Sequence, residues 1–202
     1  MSNKAAEGIL ALYQRHAAAC AEQRSRALFE KTWLEKFAAR LPPQGRIVDI
    51  GCGNGQPIAG WLIAQGFQLT GVDGAPAMID RARENFPQQR WLLQDMRQLS
   101  LGETFDGLIA WDSFFHLTQD DQKQMFTRFE QHSHAGSVLM FTSGPQEGEA
   151  FGQMEGETLY HASLAPQTYR ALLAEINFEV VDVVLNDPHC TGHSVWLAQR
   201  KA

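Results

Sequence analysis

The clearest pattern along the chain begins at Arg46, where short apolar runs start to alternate with longer amphipathic stretches. β/α units leave this alternation: a strand covered on both faces reads as a compact apolar run, and a surface helix repeats its apolar side every three or four residues. Strands are predicted at Arg46–Ile50, Gln68–Val72, Arg90–Leu93, Phe105–Trp111, Gly136–Thr142, Phe178–Leu185 and Ser194–Ala198. Helices are predicted near Pro57–Gln65, Pro76–Glu84, Gln119–His132 and Pro166–Ile176. Three of these open on proline, whose missing N–H costs nothing in the first turn. Ser143 to Leu164 carries Gly144, Pro145, Gly148, Gly152 and Gly156 without a clear period and is predicted as a long loop or lid. The last two strands are joined by Asn186-Asp187-Pro188-His189, a link too short for a crossover helix, so they are expected to pair antiparallel.

The first forty residues are rich in Ala, Glu, Gln and Arg and show no strand-like alternation, which predicts two helices with Ser25 as an interruption. Trp33, Phe37 and Leu41 recur at a spacing of four and predict one buried stripe before Pro42-Pro43 stops the helix. The expectation is therefore an α/β fold: a doubly wound, mainly parallel seven-stranded sheet with an antiparallel C-terminal hairpin, helices on both faces and an N-terminal helical cap. One domain is expected over 1–202, made of a cap (1–43), a ligand-binding core (46–142) and a remainder (143–202) holding the lid loop and the hairpin.

Composition narrows the class. A length of 202 residues suits one large domain, and no apolar run is long enough for a membrane span. Nothing after Met1-Ser2-Asn3-Lys4 reads as a signal peptide, so a cytoplasmic location is expected. Cys20, Cys52 and Cys190 are too few and too scattered for a disulfide framework or a zinc knuckle. A net charge of -6 argues against a phosphate-tracking surface, so a small molecule is favoured over nucleic acid as partner.

The candidate chemistry starts at Ile47-Val48-Asp49-Ile50-Gly51-Cys52-Gly53-Asn54-Gly55, a strand that empties into a glycine loop. Glycines at 51, 53 and 55 let the backbone turn sharply and approach a ligand with no Cβ in the way. The spacing is G-x-G-x-G; a dinucleotide fingerprint would place its third glycine at position 56, which is Gln. Pyrophosphate is thus the weaker expectation, and a plain tight turn is the bland alternative. Asp73 ends the second strand, where an acidic side chain in such folds accepts hydrogen bonds from ribose hydroxyls. Its bland alternative is a helix cap before Ala75-Pro76.

With Val72-Asp73-Gly74, Gln94-Asp95-Met96 and Ile109-Ala110-Trp111-Asp112 following in order, the chain resembles the class I, Rossmann-like S-adenosylmethionine (SAM)-dependent methyltransferases. The likeness runs from Arg46 to Thr142 and, more loosely, over the C-terminal hairpin. A departure lies before the fifth strand, where many members carry Pro-Gly-Gly and this chain has His134-Ala135-Gly136-Ser137. The resemblance implies SAM as cofactor, S-adenosylhomocysteine (SAH) as product, and no metal. It implies that Gly51 and Gly53 pass the methionine part, that Asp49 acts on its ammonium, and that Asp73 holds the ribose. Asp95 and Met96 would flank the adenine, and Trp111, Asp112 and Ser113 would close the site near the sulfonium. Cys52, Asn54, Gly55, Gly74 and Met78 complete the expected cofactor set.

Methyl transfer is an in-line displacement, so the protein mainly positions an acceptor atom and excludes water; a base is needed only if the acceptor must lose a proton. The candidates are Asp112 and His116, after the fourth strand, and His161, at the end of the predicted lid beside Tyr160. His193 reads as a loop residue, and Tyr13 with His16 reads as ordinary helix packing, with a cap over the site as the alternative. Phe114, Phe115, Trp111 and Phe151 are either core or walls of an acceptor pocket. Asp112-Ser113-Phe114 lacks the prolines of DNA amino-methyltransferases, no glutamate pair marks a protein arginine methyltransferase, and the cysteines do not suit arsenic. A small-molecule O-, N- or C-methyltransferase is left, as monomer or homodimer, and Gly156 to Leu164 resembles bacterial small-molecule members. The rival expectations are a SAM-binding protein without transfer activity and an NAD-dependent oxidoreductase.

Overall fold

The structure is a computed structural model that describes residues 2–23 and 27–202. After helices α1 (Ser2–Glu7), α2 (Ile9–Gln23) and α3 (Lys31–Ala38), the chain enters strand β1 (Arg46–Ile50) and helix α4 (Ile58–Ala64). There follow β2 (Gln68–Asp73), α5 (Pro76–Asn85), β3 (Arg90–Leu93), β4 (Phe105–Ala110), α6 (Gln119–Gln131) and β5 (Ser133–Ser143). The chain continues through β6 (Gly148–Met154), β7 (Glu157–Ser163), α7 (Pro166–Glu175), β8 (Phe178–Val184) and β9 (Ser194–Arg200).

Seven strands form one sheet in the order β3-β2-β1-β4-β5-β9-β8. The first five are parallel, and β9 runs antiparallel to both β5 and β8. Consecutive side chains alternate between the faces, and each face has its own core. Val48, Ile50, Leu108, Phe141 and Trp196 pack with Phe126 and Phe129 of α6 and Tyr169 of α7. Ile47, Ile109, Met140 and Leu197 pack with Trp33 and Phe37 of α3, Leu62 of α4 and Ile79 of α5. This is why the strands read as unbroken apolar runs: both faces are covered. Strand order reverses between β1 and β4, the point where open α/β sheets hold ligands at the carboxyl ends of their strands.

Two expectations are corrected. Ser143 to Leu164 is not a loop or lid of irregular structure but a β-hairpin, with Phe151 opposite Tyr160 in register. Its turn residues Glu155 and Gly156 both have positive φ, 51° and 80°, as a two-residue hairpin turn requires. The pattern hid it because β6 is exposed or half-exposed along its whole length and so has no apolar alternation. The hairpin docks through the carbonyls of β7: Tyr160 O accepts from His116, Ala162 O from Gln122 and Ser163 O from Gln119.

At the N-terminal end, three helices stand among the described residues instead of two. Gly8 separates α1 from α2 and still donates to Lys4 O at 3.1 Å. Ser25, the expected interruption, lies outside the described residues. Helix α3 stops at Ala38, so Leu41 completes the stripe of Trp33 and Phe37 from beyond the helix end.

Candidate functional site

Strand β1 delivers the chain into Gly51, whose φ of 79° turns it away from the sheet, and the amides of Gly51 and Cys52 both donate to Val72 O, at 2.7 and 3.1 Å. A Cβ on Gly51 would stand 2.2 Å from that of Ser113. Its absence lets the Ser113 hydroxyl donate to Ile50 O at 2.7 Å and ties the ends of β1 and β4 together. Gly53, with φ 54°, faces open space.

The loop is held against β2 by Asp73. Its carboxylate accepts from Gly53 N at 2.9 Å through one oxygen and from Ala75 N at 2.8 Å through the other. The bland expectation, a helix cap, is not realised: the N-cap of α5 is Ala75, without a side-chain bond, and Asp73 holds the turn before it. Burial pushes the Asp73 carboxyl up, and the amide bonds oppose that. A Cβ on Gly74 would meet the side chain of Leu10, which packs there from α2.

These groups open onto a cavity of about 430 Å³ at the carboxyl ends of β1, β2 and β4. Every residue of the expected cofactor set lines it: Asp49, the loop 51–55, Asp73, Gly74 and Met78, then Asp95 and Met96, then Trp111 to Ser113. Asp95 is fixed by Arg97, whose Nε and Nη2 both reach its carboxylate while its amide donates at 2.9 Å. Burial pushes the Asp95 carboxyl up, but the bonds from Arg97 win and hold it below the usual range. Cys52 is buried, which pushes its thiol well up, so it serves as wall and not as nucleophile. Asn54 lines the cavity while its side-chain oxygen accepts from Gln56 N and shapes the loop.

The lining is electrostatically one-sided. Among the described residues four aspartates, 49, 73, 95 and 112, border the cavity, and Arg97, the one Lys or Arg among them that lines it, is spent on Asp95. Such a wall suits a ligand carrying an ammonium and a sulfonium and disfavours a pyrophosphate. Among the described residues, no cluster of three or more His, Cys, Asp or Glu side chains is placed to hold a metal ion.

The far end of the cavity is lined by Tyr13, Phe115, His116, His161 and His193. His116 is buried, and its Nδ1 lies 2.8 Å from Tyr160 O, which can only accept, so Nδ1 carries the proton. Nε2 then accepts from the Tyr13 hydroxyl at 2.9 Å. Burial lowers its pKa to about 4, so the ring is neutral with both nitrogens engaged. His161 lies on β7 with its ring 4.8 Å from that of His116. Burial, helped by the nearby His193, pushes its pKa down.

Three readings gain a position here. His193 lines the cavity and meets Asp112, Nδ1 to Oδ1 at 2.9 Å. The signal was present: β9 runs antiparallel to β5 with Ser194 opposite Ser143, so the residue before β9 must sit at the ligand edge of the sheet. Tyr13 caps the cavity, while His16 bonds Glu157 of the hairpin at 2.7 Å. Of the four aromatics, Trp111 and Phe115 line the cavity, Phe114 belongs to the core under α6, and Phe151 is 56% exposed on β6.

Residues 47–136 match the family model described as a methyltransferase domain. The Bacillus subtilis (strain 168) protein YqeM, named as a methyltransferase, is 31% identical over 139 residues, 64% of this chain and 54% of its own length. A malonyl-(acyl-carrier protein) O-methyltransferase of Serratia marcescens is 27% identical over 144 residues, 69% of this chain and 56% of its own. The chain thus spans little more than half the length of these two relatives. Among solved structures, the 1,6-didemethyltoxoflavin-N1-methyltransferase of Burkholderia thailandensis superposes with a TM-score of 0.76 at 15% identity, covering 100% of this chain and 91% of that one. The methyltransferase domain family is thus matched over residues 47–136, and the fold is that of solved SAM-dependent methyltransferases. The relatives differ in what their names say they act on, so the methyl acceptor is a separate question.

Proposed function

We propose that this chain binds SAM in the cavity at the carboxyl ends of β1, β2 and β4 and transfers its methyl group to an O, N or C atom of a small molecule. The observation that carries this reading is the acid-lined glycine cradle that continues into an end lined by histidines and aromatics. SAM supplies a methyl carbon already activated for displacement by a positive sulfur. In this reading Asp49 pairs with the amino acid ammonium, and Gly51 and Gly53 leave room for the methionine part. Asp73 accepts from the ribose hydroxyls with the lone pairs its two amide bonds leave. Asp95 and Met96 would flank the adenine, Gly74 and Met78 would complete the cofactor wall, and Trp111, Asp112 and Ser113 would close the site near the sulfonium. His116 braces Tyr13 over the acceptor, while His161 and His193 are the groups with ring nitrogens left for it.

The test is turnover of methyl-labelled SAM with a library of small hydroxyl, amine and carbon-acid compounds, read as SAH release. Acceptor-dependent SAH release supports the reading. SAM left intact beside hydride exchange with NADH overturns it.

A further inference from the structure

We infer that His193, held by Asp112, is the proton-accepting group of the acceptor end, and that the methyl acceptor is a hydroxyl or a protonated nitrogen, a group that must shed a proton to be methylated. The inference rests on the methyl-transfer reading and adds the acceptor class to it.

Four observations carry it. First, His116 is removed as a base by its bonds, since its one lone pair is occupied by the Tyr13 hydroxyl. Second, a carboxylate stands beside His193: Asp112 Oδ1 lies 2.9 Å from Nδ1 in an ion-pair contact, which favours the proton on that nitrogen and leaves Nε2 as the lone-pair nitrogen for a ligand. A carboxylate behind an imidazole also stabilises the imidazolium formed when a proton is taken.

Third, both partners are held where they are. Asp112 adopts a φ of 48°, a conformation uncommon for a residue other than glycine, and its amide donates to Thr142 Oγ1 at 2.9 Å. The loop before β9 is tied at both ends of His193: its amide donates to Cys190 O, and its carbonyl accepts from Asp187 N at 2.8 Å. Asp187 is anchored in turn by the Trp33 indole at 2.8 Å. Fourth, Phe115 packs against both His193 and His161, with ring centroids 5.3 and 5.1 Å away, and gives the pair an apolar floor. The charged and titratable groups facing His193 are Asp112, His161 and His116.

In the step this arrangement serves, the acceptor X–H gives its proton to Nε2 of His193 while an electron pair on X forms the bond to the methyl carbon. The carbon–sulfur bond breaks with its pair on sulfur, leaving SAH, and the imidazolium returns its proton to solvent.

The experiment has two arms, both on the full chain. In the first, ¹⁵N spectra of the histidines read the His193 tautomer with and without SAH. The expected result is a ring that carries a proton on Nδ1 and leaves Nε2 bare, with that preference lost in Asp112→Asn, a residue that tolerates positive φ. A His193 ring protonated on Nε2, or a tautomer that Asp112→Asn leaves unchanged, overturns the dyad. In the second arm, a phenol, a primary amine, an unprotonated pyridine and a thioether are offered with SAM at neutral pH. Turnover of the phenol or the primary amine is expected, falling about 100-fold or more in His193→Gln while SAH affinity stays within about twofold. Turnover of the pyridine or thioether alone, or full turnover by His193→Gln, overturns the proposal. Failure of the wild-type chain to bind SAH would instead strike the methyl-transfer reading, so the two failures are distinguishable.

Discussion

Asp73 accepts two backbone amides at once, one from the glycine loop and one from the turn ahead of α5, while lining the cavity. Replacing it by Asn keeps a side-chain oxygen for one amide but substitutes a donor for the other acceptor. Asp73→Asn should therefore weaken SAH binding at least about fivefold, a loss of about 1–3 kcal/mol, measured by calorimetry. Gly51 meets a harder limit, because a Cβ there would overlap Ser113 and its φ of 79° is strained for any L side chain. Gly51→Ala should lower the melting temperature and abolish SAH-induced stabilisation. His116 makes a pH prediction. Its folded pKa of about 4 lies below the ordinary 6.5, so the unfolded chain binds the extra proton first as pH falls. Its contribution is thus complete above 6.5, declines between 6.5 and 4, and should leave a stability loss across that window that is reduced in His116→Gln. Equal pH profiles for the two proteins would refute it.

Among the elements, the hairpin of β6 and β7 and the helix α2 close the cavity from above and clasp each other. Arg15 and His16 on α2 both reach Glu157 on β7, and this lowers the Glu157 carboxyl to about 2. The clasp is solvent-exposed, so its effect on global stability should be small. Its effect on the covering elements is local: Glu157→Gln should raise amide exchange in α2 several-fold while the central sheet exchanges as before. Exchange unchanged in α2 would show that its other contacts, Ala17 against Met78 and Gln14 on the Ala77 amide among them, hold the helix down without the clasp. These covering elements were also the least legible in the sequence. The parallel strands announced themselves because burial on both faces makes them apolar throughout, and their ends were placed within a few residues. Strand β6 has nothing to bury, so its residues carried no periodicity, and its glycines read as loop.

For the molecule as a whole, topology explains why the cofactor half of the site was legible and the acceptor half was not. The glycine loop, Asp73, Asp95 and Asp112 each follow a parallel strand, so chain order alone brought them to one edge of the sheet. His161, His193 and Tyr13 reach the same edge from a hairpin, an antiparallel return and a distant helix. These three approaches depend on tertiary packing rather than local spacing. The acid-rich wall adds what the motif could not, a charge argument for a cationic ligand over a dinucleotide. Calorimetry of the full chain with SAH and with NADH, side by side, tests that claim most directly. SAH should bind with a Kd of about 10 μM or tighter, and NADH should give no binding heat. Binding of NADH without binding of SAH would contradict the assignment.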